Sequence, residues 1–123
     1  MKLIPDTNFL IYLAKYRLLD NLENYELILL RQVLEELVVI SKGDRENMKD
    51  RNLAFLILQF LDKIKAKTKY VENVKGNADD ALLGLAMKEK CIVGTMDKEL
   101  TERLKKEKIK VLIVRQKKLL EEK

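Results

Sequence analysis

Carboxylates stand at four separated places where a fold could gather them: Asp6, Glu36, the adjacent pair Asp79-Asp80, and Asp97. The chain has no histidine, so hydrolytic chemistry must run on carboxylates, lysines or hydroxyls. Carboxylates left together without neutralisation raise one another's pKa, and an ionised cluster therefore calls for a cation. All-oxygen donors without His or Cys select a hard ion, Mg²⁺ or Mn²⁺. Such an ion lowers the pKa of bound water and offsets charge developing on a phosphorane, which supplies phosphodiester hydrolysis without histidine. Each acid also has a plainer reading. Asp and Asn cap helices by accepting orphan N–H groups, and acids favour the positive end of the helix dipole.

The elements that must position these acids follow from the apolar pattern. Leu3-Ile4 reads as a brief buried strand, with Pro5 tolerable only at its end because proline donates nothing to a ladder. The next helix packs Phe9, Leu10, Leu13 and Ala14 on one side. Leu27-Ile28-Leu29-Leu30 is a continuous apolar run of the kind found in a parallel strand covered on both faces. A helix with the stripe Val33, Leu34, Leu37 and Val38 follows, leaving Glu35 and Glu36 off the stripe. Residues 41–50 are polar, contain Gly43, and read as a loop or an exposed helix start. Leu53, Leu56, Ile57, Phe60, Leu61 and Ile64 then keep helical spacing for several turns. Tyr70-Val71 suggests a short edge strand, and Lys75-Gly76-Asn77 breaks the chain before a helix that Asn77 can cap. Gly84 inside that helix predicts close packing on a neighbour. Residues 91–95 form the fourth strand, 98–106 a short charged helix and 111–114 the last strand, with 115–123 a tail of mixed charge. This alternation predicts a single domain over residues 1–123: a three-layer α/β/α sandwich around a central parallel sheet. Ligands of such sheets gather outside the carboxyl ends of the strands, where Asp6, Asp79-Asp80 and Asp97 all fall and which Glu36 can reach.

Composition sets the outer bounds. Hydrophobic residues make up 47% and charged residues 37%, as in a globular chain with a divided inside and outside. No apolar run is long enough to span a bilayer, and no leader precedes the first strand, so the expected compartment is the cytoplasm. The one cysteine, Cys91, reads as a buried structural thiol. A net charge of +5 suits a polyanionic partner.

Four motifs in order resemble the PIN domain, a family of metal-dependent ribonucleases: Asp-Thr-Asn-Phe-Leu-Ile at Asp6, Val-Leu-Glu-Glu-Leu ending at Leu37, Ala-Asp-Asp-Ala-Leu-Leu at Ala78, and Gly-Thr-Met-Asp-Lys-Glu-Leu at Gly94. The resemblance runs from Leu3 to about Val114. It implies a parallel sheet, a metal held by acids, and cleavage of RNA. It also implies roles: Asp6, Glu36, Asp80 and Asp97 as catalytic and metal-holding acids, with Asn8, Asp79, Thr95 and Glu99 as accessories. Pro5 departs from the family's usual aliphatic residue before the first acid. Two branches compete, the toxin of a toxin–antitoxin pair and the ribosomal-RNA-processing group. The motif details and the run Arg115-Gln116-Lys117-Lys118 resemble the processing group more, so the implied partner is an antitoxin or a ribosome-assembly factor. A signalling receiver domain would require an acidic pair after the first strand, where this chain has Asp6 alone. A PIN-fold RNA-binding module without turnover remains an alternative that cleavage would separate.

An acidic pocket repels phosphate unless basic residues flank it, which makes Lys42, Arg45, Lys98 and Arg103 the candidates for RNA contact. With few aromatics for base stacking, binding is expected to be mostly electrostatic. The apolar stripe from Leu53 to Ile64 is broad for so small a chain and predicts a homodimer.

Overall fold

The computed structural model describes residues 1–43, 48–65, 68–72 and 78–122. Its strands are β1 (Lys2–Pro5), β2 (Glu26–Leu30), β3 (Thr68–Val71), β4 (Ile92–Gly94), β5 (Val111–Arg115) and β6 (Lys118–Glu122). The helices are α1 (Thr7–Lys15), α2 (Arg31–Ser41), α3 (Met48–Lys63), α4 (Ala78–Glu89) and α5 (Lys98–Lys106), and a short 3-10 turn covers Leu19–Asn24. The strands form one sheet in the order β3-β2-β1-β4-β5-β6, parallel except for the last pair.

From β1 the chain moves outward through β2 to β3, then crosses back to β4 and leaves through β5 on the other side. Right-handed crossovers in opposite directions put their helices on opposite faces. Accordingly α1, α2 and α3 pack together, and α4 packs with α5. The expected three layers are present. The point where the strand order reverses lies between β1 and β4, and in such sheets the crevice that takes ligands lies there, outside the carboxyl ends. Asp6 and Asp97 follow the two strands that flank it.

The core fills from both sides of the sheet. Leu3, Ile4, Leu27 to Leu30, Val93 and Val111 to Val114 are buried, as continuous apolar runs in a doubly covered sheet should be. The face of α1 carrying Phe9, Leu10, Leu13 and Ala14 closes one layer, and Leu100 with Leu104 of α5 belongs to the other. Pro5 ends β1, its register partner being Gly94, so its missing N–H costs the ladder little. Cys91 is buried, as expected, and burial pushes its thiol pKa up.

Two expectations need correction, and a third is sharpened. Residues 115–122 are not a tail: β6 pairs antiparallel with β5 through a turn in which Gln116 and Lys117 both take positive φ, at 52° and 61°. That is the conformation of a two-residue turn matching strand twist, which glycine and asparagine usually fill. A Cβ on Gly84 would meet no atom of another element within 4 Å among the described residues, so close packing is not its reason. The α3 stripe is only partly consumed. Ile57, Leu61 and Ile64 are buried with Ala54, and Leu53 and Phe60 rest against the core. Leu56 remains 47% exposed and its neighbour Phe55 57%. Among the described residues, no helix is long and apolar enough to cross a membrane.

Candidate active site

Asp6 leaves β1 and becomes the N-cap of α1, where its Oδ1 accepts the Phe9 N–H at 2.8 Å. Its own N–H donates to Gly94 O at 2.8 Å, continuing the pairing of β1 with β4 one residue past both strands. That register brings Asp6 abreast of Thr95. The fully buried Thr95 hydroxyl donates a very short hydrogen bond to Asp6 Oδ2 and accepts the Asp97 N–H at 3.1 Å. One hydroxyl thus fixes both acids. Asp97 in turn caps α5, its Oδ1 accepting the Glu99 and Leu100 N–H groups at 2.9 and 3.1 Å.

The support beneath Asp6 is steric. A Cβ on Gly94 would lie 2.4 Å from the Phe9 ring, so only glycine lets that ring sit flat on β4 and hold the first turn of α1 in place.

Burial pushes the Asp6 carboxyl up to about 6; the bonds from Thr95 and Phe9 pull it down, and the charges of Asp79 and Asp97 push it further up. Asp79, in the first turn of α4, is raised by burial first and then by Asp97, while Arg103 opposes the shift. Three acids therefore act on one another across the crevice: Asp6, Asp79 and Asp97.

The tandem pair departs from the roles the resemblance implied. Asp79 is the member whose charge reaches Asp6, whereas Asp80 pairs with Arg103 at 2.8 Å near the surface. Successive residues on a helix point about 100° apart, so only one of the two can face the crevice. Glu36 is exposed on α2 and lies one turn beyond Gln32, the two lining a hollow of about 530 Å³ with Glu35, Val39 and Ile40. The leading charges that raise Asp6 are those of Asp79 and Asp97. Asn8 is exposed in the first turn of α1, and Glu99, exposed in α5, adds its charge to those acting on Asp79. The Gln32 Oε1 is buried without a hydrogen-bond partner among the described residues, a polar group on the first turn after β2 that the sequence reading did not single out.

Of the basic candidates, Lys98 opens α5 and is exposed, and Arg103 stands among Asp79, Asp80 and Glu99. Lys42 is the exposed C-cap of α2, roughly 9 Å of helix rise beyond Glu36. Arg45 lies outside the described residues, as does the Asn77 cap.

The donors suit a hard divalent ion in kind, being carboxylates and a hydroxyl, and Asp6 carries the excess repulsion that a cation relieves. Their spacing is looser than a metal cage. Among the described residues, no three His, Cys, Asp or Glu side chains stand close enough together to hold one ion.

A sheet reversing between β1 and β4, with acids converging on that crevice, is the arrangement of a PIN-like domain. The family model described as "PIN like domain" matches residues 3–117, and the chain belongs to that family. It is also 38% identical over 128 residues to Ribonuclease VapC4 of Methanocaldococcus jannaschii, an alignment covering 98% of this chain and 95% of that protein.

Proposed function

We propose that the chain is a divalent-metal-dependent endoribonuclease that hydrolyses RNA phosphodiesters at the carboxyl edge of its sheet, as the toxin of a toxin–antitoxin pair. The observation that carries this reading is one buried hydroxyl, Thr95, that bonds the Asp6 carboxylate and the Asp97 backbone N–H, with the charges of Asp79 and Asp97 acting on Asp6. Carboxylates packed this way favour a cation, and the likeness to a VapC ribonuclease supports RNA as the substrate. The same likeness favours the toxin branch; nothing supports the lean of the sequence motifs toward ribosomal-RNA processing.

Asp6, Asp79 and Asp97 would hold Mg²⁺ or Mn²⁺ only by drawing closer than they stand here, where no three described acids are near enough to share an ion, with Asp80, Glu36 and Glu99 as outer acids. When bound, the ion supplies an activated water and neutralises charge at the phosphate. The chain's own residues arrange the rest. Thr95 keeps Asp6 and the Asp97 backbone in fixed relation, and Asn8 borders Asp6 on the open side of α1. Arg103 brings a guanidinium beside the acids, where exchange of Asp80 for a phosphate oxygen would hold the RNA backbone, and Lys98 adds a second positive charge. Phe55 and Leu56, left exposed on α3, are the surface we assign to a homodimer. An antitoxin that silences the enzyme and a cytoplasmic location complete the reading.

The test is cleavage of a single-stranded RNA with Mg²⁺ or Mn²⁺ and again after chelation. The wild type should cut only with metal, and Asp6→Asn or Asp79→Asn should slow cleavage by roughly a hundredfold or more, with a smaller loss for Asp80→Asn. Wild-type rates in Asp6→Asn, or cleavage indifferent to chelation, would overturn the proposal. The reverse order for Asp79 and Asp80 would restore the roles implied by the sequence motifs.

A further inference from the structure

The exposed side of α1 carries an aromatic and basic stripe that the catalytic reading leaves unused. Asn8, Ile11, Tyr12, Lys15 and Tyr16 fall at i, i+3, i+4, i+7 and i+8, which places them on one face of the helix, opposite the buried Leu10, Leu13 and Ala14. The stripe begins beside Asp6, the cap of the same helix. Tyr12 is about 9 Å of helix rise from that acid, within reach of a nucleotide flanking a phosphate held there.

The side chains are arranged as a platform. The Tyr12 and Tyr16 rings have centroids 6.2 Å apart and are tilted by 39°. Lys15 Nζ stands over both, 5.9 Å from the Tyr12 centroid and 5.4 Å from that of Tyr16. Tyr16 packs partly against the core and is thereby anchored, whereas Tyr12 is 38% exposed. An ammonium held against two rings is a cation stationed where a phosphate would pass, next to flat π faces on which a base can stack. A duplex keeps its bases inside and offers nothing to such rings. The combination selects single-stranded nucleic acid.

We propose that Tyr12, Lys15 and Tyr16 form the track that holds single-stranded RNA next to the acids, with a base stacked on Tyr12 and a phosphate met by Lys15. The charge of Lys15 complements RNA, and the stripe is continuous with the candidate active site, which favours RNA over a protein on this face. This inference rests on the ribonuclease reading and adds a stacking contribution to binding expected to be mostly electrostatic.

The experiment measures binding of a single-stranded oligoribonucleotide, and of the same sequence as a duplex, to the full chain in chelator so that no cleavage intervenes. The chain lacks tryptophan, so quenching of tyrosine fluorescence reports stacking directly. Tyr12→Ala should weaken single-strand affinity about tenfold, since a base stacked on an aromatic ring contributes on that scale. Tyr12→Phe should bind like the wild type, because the ring and not the hydroxyl matters. Lys15→Gln should flatten the salt dependence, and duplex binding should ignore Tyr12→Ala. Tyr70, exposed on the far edge strand, serves as control: Tyr70→Ala should change nothing. Melting curves establish that each variant is folded. A folded Tyr12→Ala protein with wild-type single-strand affinity overturns the track, as does equal loss for the duplex. If RNA binds through Tyr12 but is never cut with either metal, the nuclease reading falls and the track stands. If RNA is cut normally by Tyr12→Ala with unchanged KM, the track falls and the nuclease reading stands.

Discussion

The junctions β1–α1 and β4–α5 share one plan and differ in outcome. In each, a buried strand ends, an acid follows, and its carboxylate caps the next helix. At Asp6 the pairing with β4 persists through its own N–H to Gly94 O, so the carboxylate stays at the level of the sheet, half-buried against Thr95. Asp97 stands two residues beyond Thr95, outside the ladder, and is exposed. The cap geometry is common to both; at Asp6 burial leads in raising the carboxyl pKa to about 6. A strand-end acid thus becomes a tuned group where the ladder reaches it, and remains a cap where the chain has already left the sheet.

The comparison breaks most severely at Gly94, on which the first junction rests. Its Cβ would enter the buried Phe9 ring at 2.4–2.8 Å, and neither the ring nor β4 has room to move. Gly94→Ala should cost about 3 kcal/mol, the upper range for overpacking a core. It should also cut activity, because Phe9 supplies the N–H that orients Asp6. Urea denaturation beside a cleavage assay checks this. A change below about 0.5 kcal/mol would mean that Phe9 is free to repack.

The second prediction sharpens the contrast through pH. A free aspartate titrates near ~3.9, while folded Asp6 titrates at about 6. Between those values the folded chain binds the proton more tightly than the unfolded chain. Stability from this group is therefore fullest below about pH 4 and falls as pH rises through 6. In metal-free protein at pH 7, Asp6→Asn should gain about 2 kcal/mol, since asparagine keeps the cap and removes the buried charge. The gain should vanish near pH 4. Denaturation of both proteins in chelator at the two pH values measures it, and an equal difference at both would sever the link to Asp6.

How much of this was legible in the chain divides along the same line. Leu27 to Leu30 and residues 111–114 read as buried parallel strands because continuous apolar runs have few other uses, and the crevice at the carboxyl edge followed from alternation alone. The last strand was missed because Gln116-Lys117 lacks the Asn or Gly that announces a tight turn. The roles of Asp79 and Asp80 were not legible. Helical spacing shows that adjacent acids diverge, but which one faces the sheet depends on how α4 docks. The place of Glu36 was not legible for a related reason, since its position off the apolar stripe permits the crevice or open solvent, and in the structure it is exposed. Thr95 entered only as one of four accessory residues. Its bond to Asp6 spans 89 residues and exists through the β1–β4 register, which no local pattern encodes.

The smallest expected effect concerns Asp97 and decides whether the second junction is a cap alone. Its Oδ1 accepts two N–H groups at the start of α5, a helix whose Leu100 and Leu104 are buried, so losing that oxygen frays an element the core needs. Asp97→Ala should cost about 1 kcal/mol, while Asp97→Asn, which keeps the acceptor, should cost a few tenths at most. Asn differs from Asp here in charge rather than in capping. Since the Asp97 charge helps push Asp6 up, Asp97→Asn should also lower the Asp6 midpoint slightly, and by less than burial raises it. Carboxyl NMR titration in chelator reads that shift, and the cleavage assay reads the rest. If Asp97→Asn cuts RNA at the wild-type rate with Asp6 unmoved, Asp97 serves α5 only, and the chemistry belongs to Asp6 and Asp79.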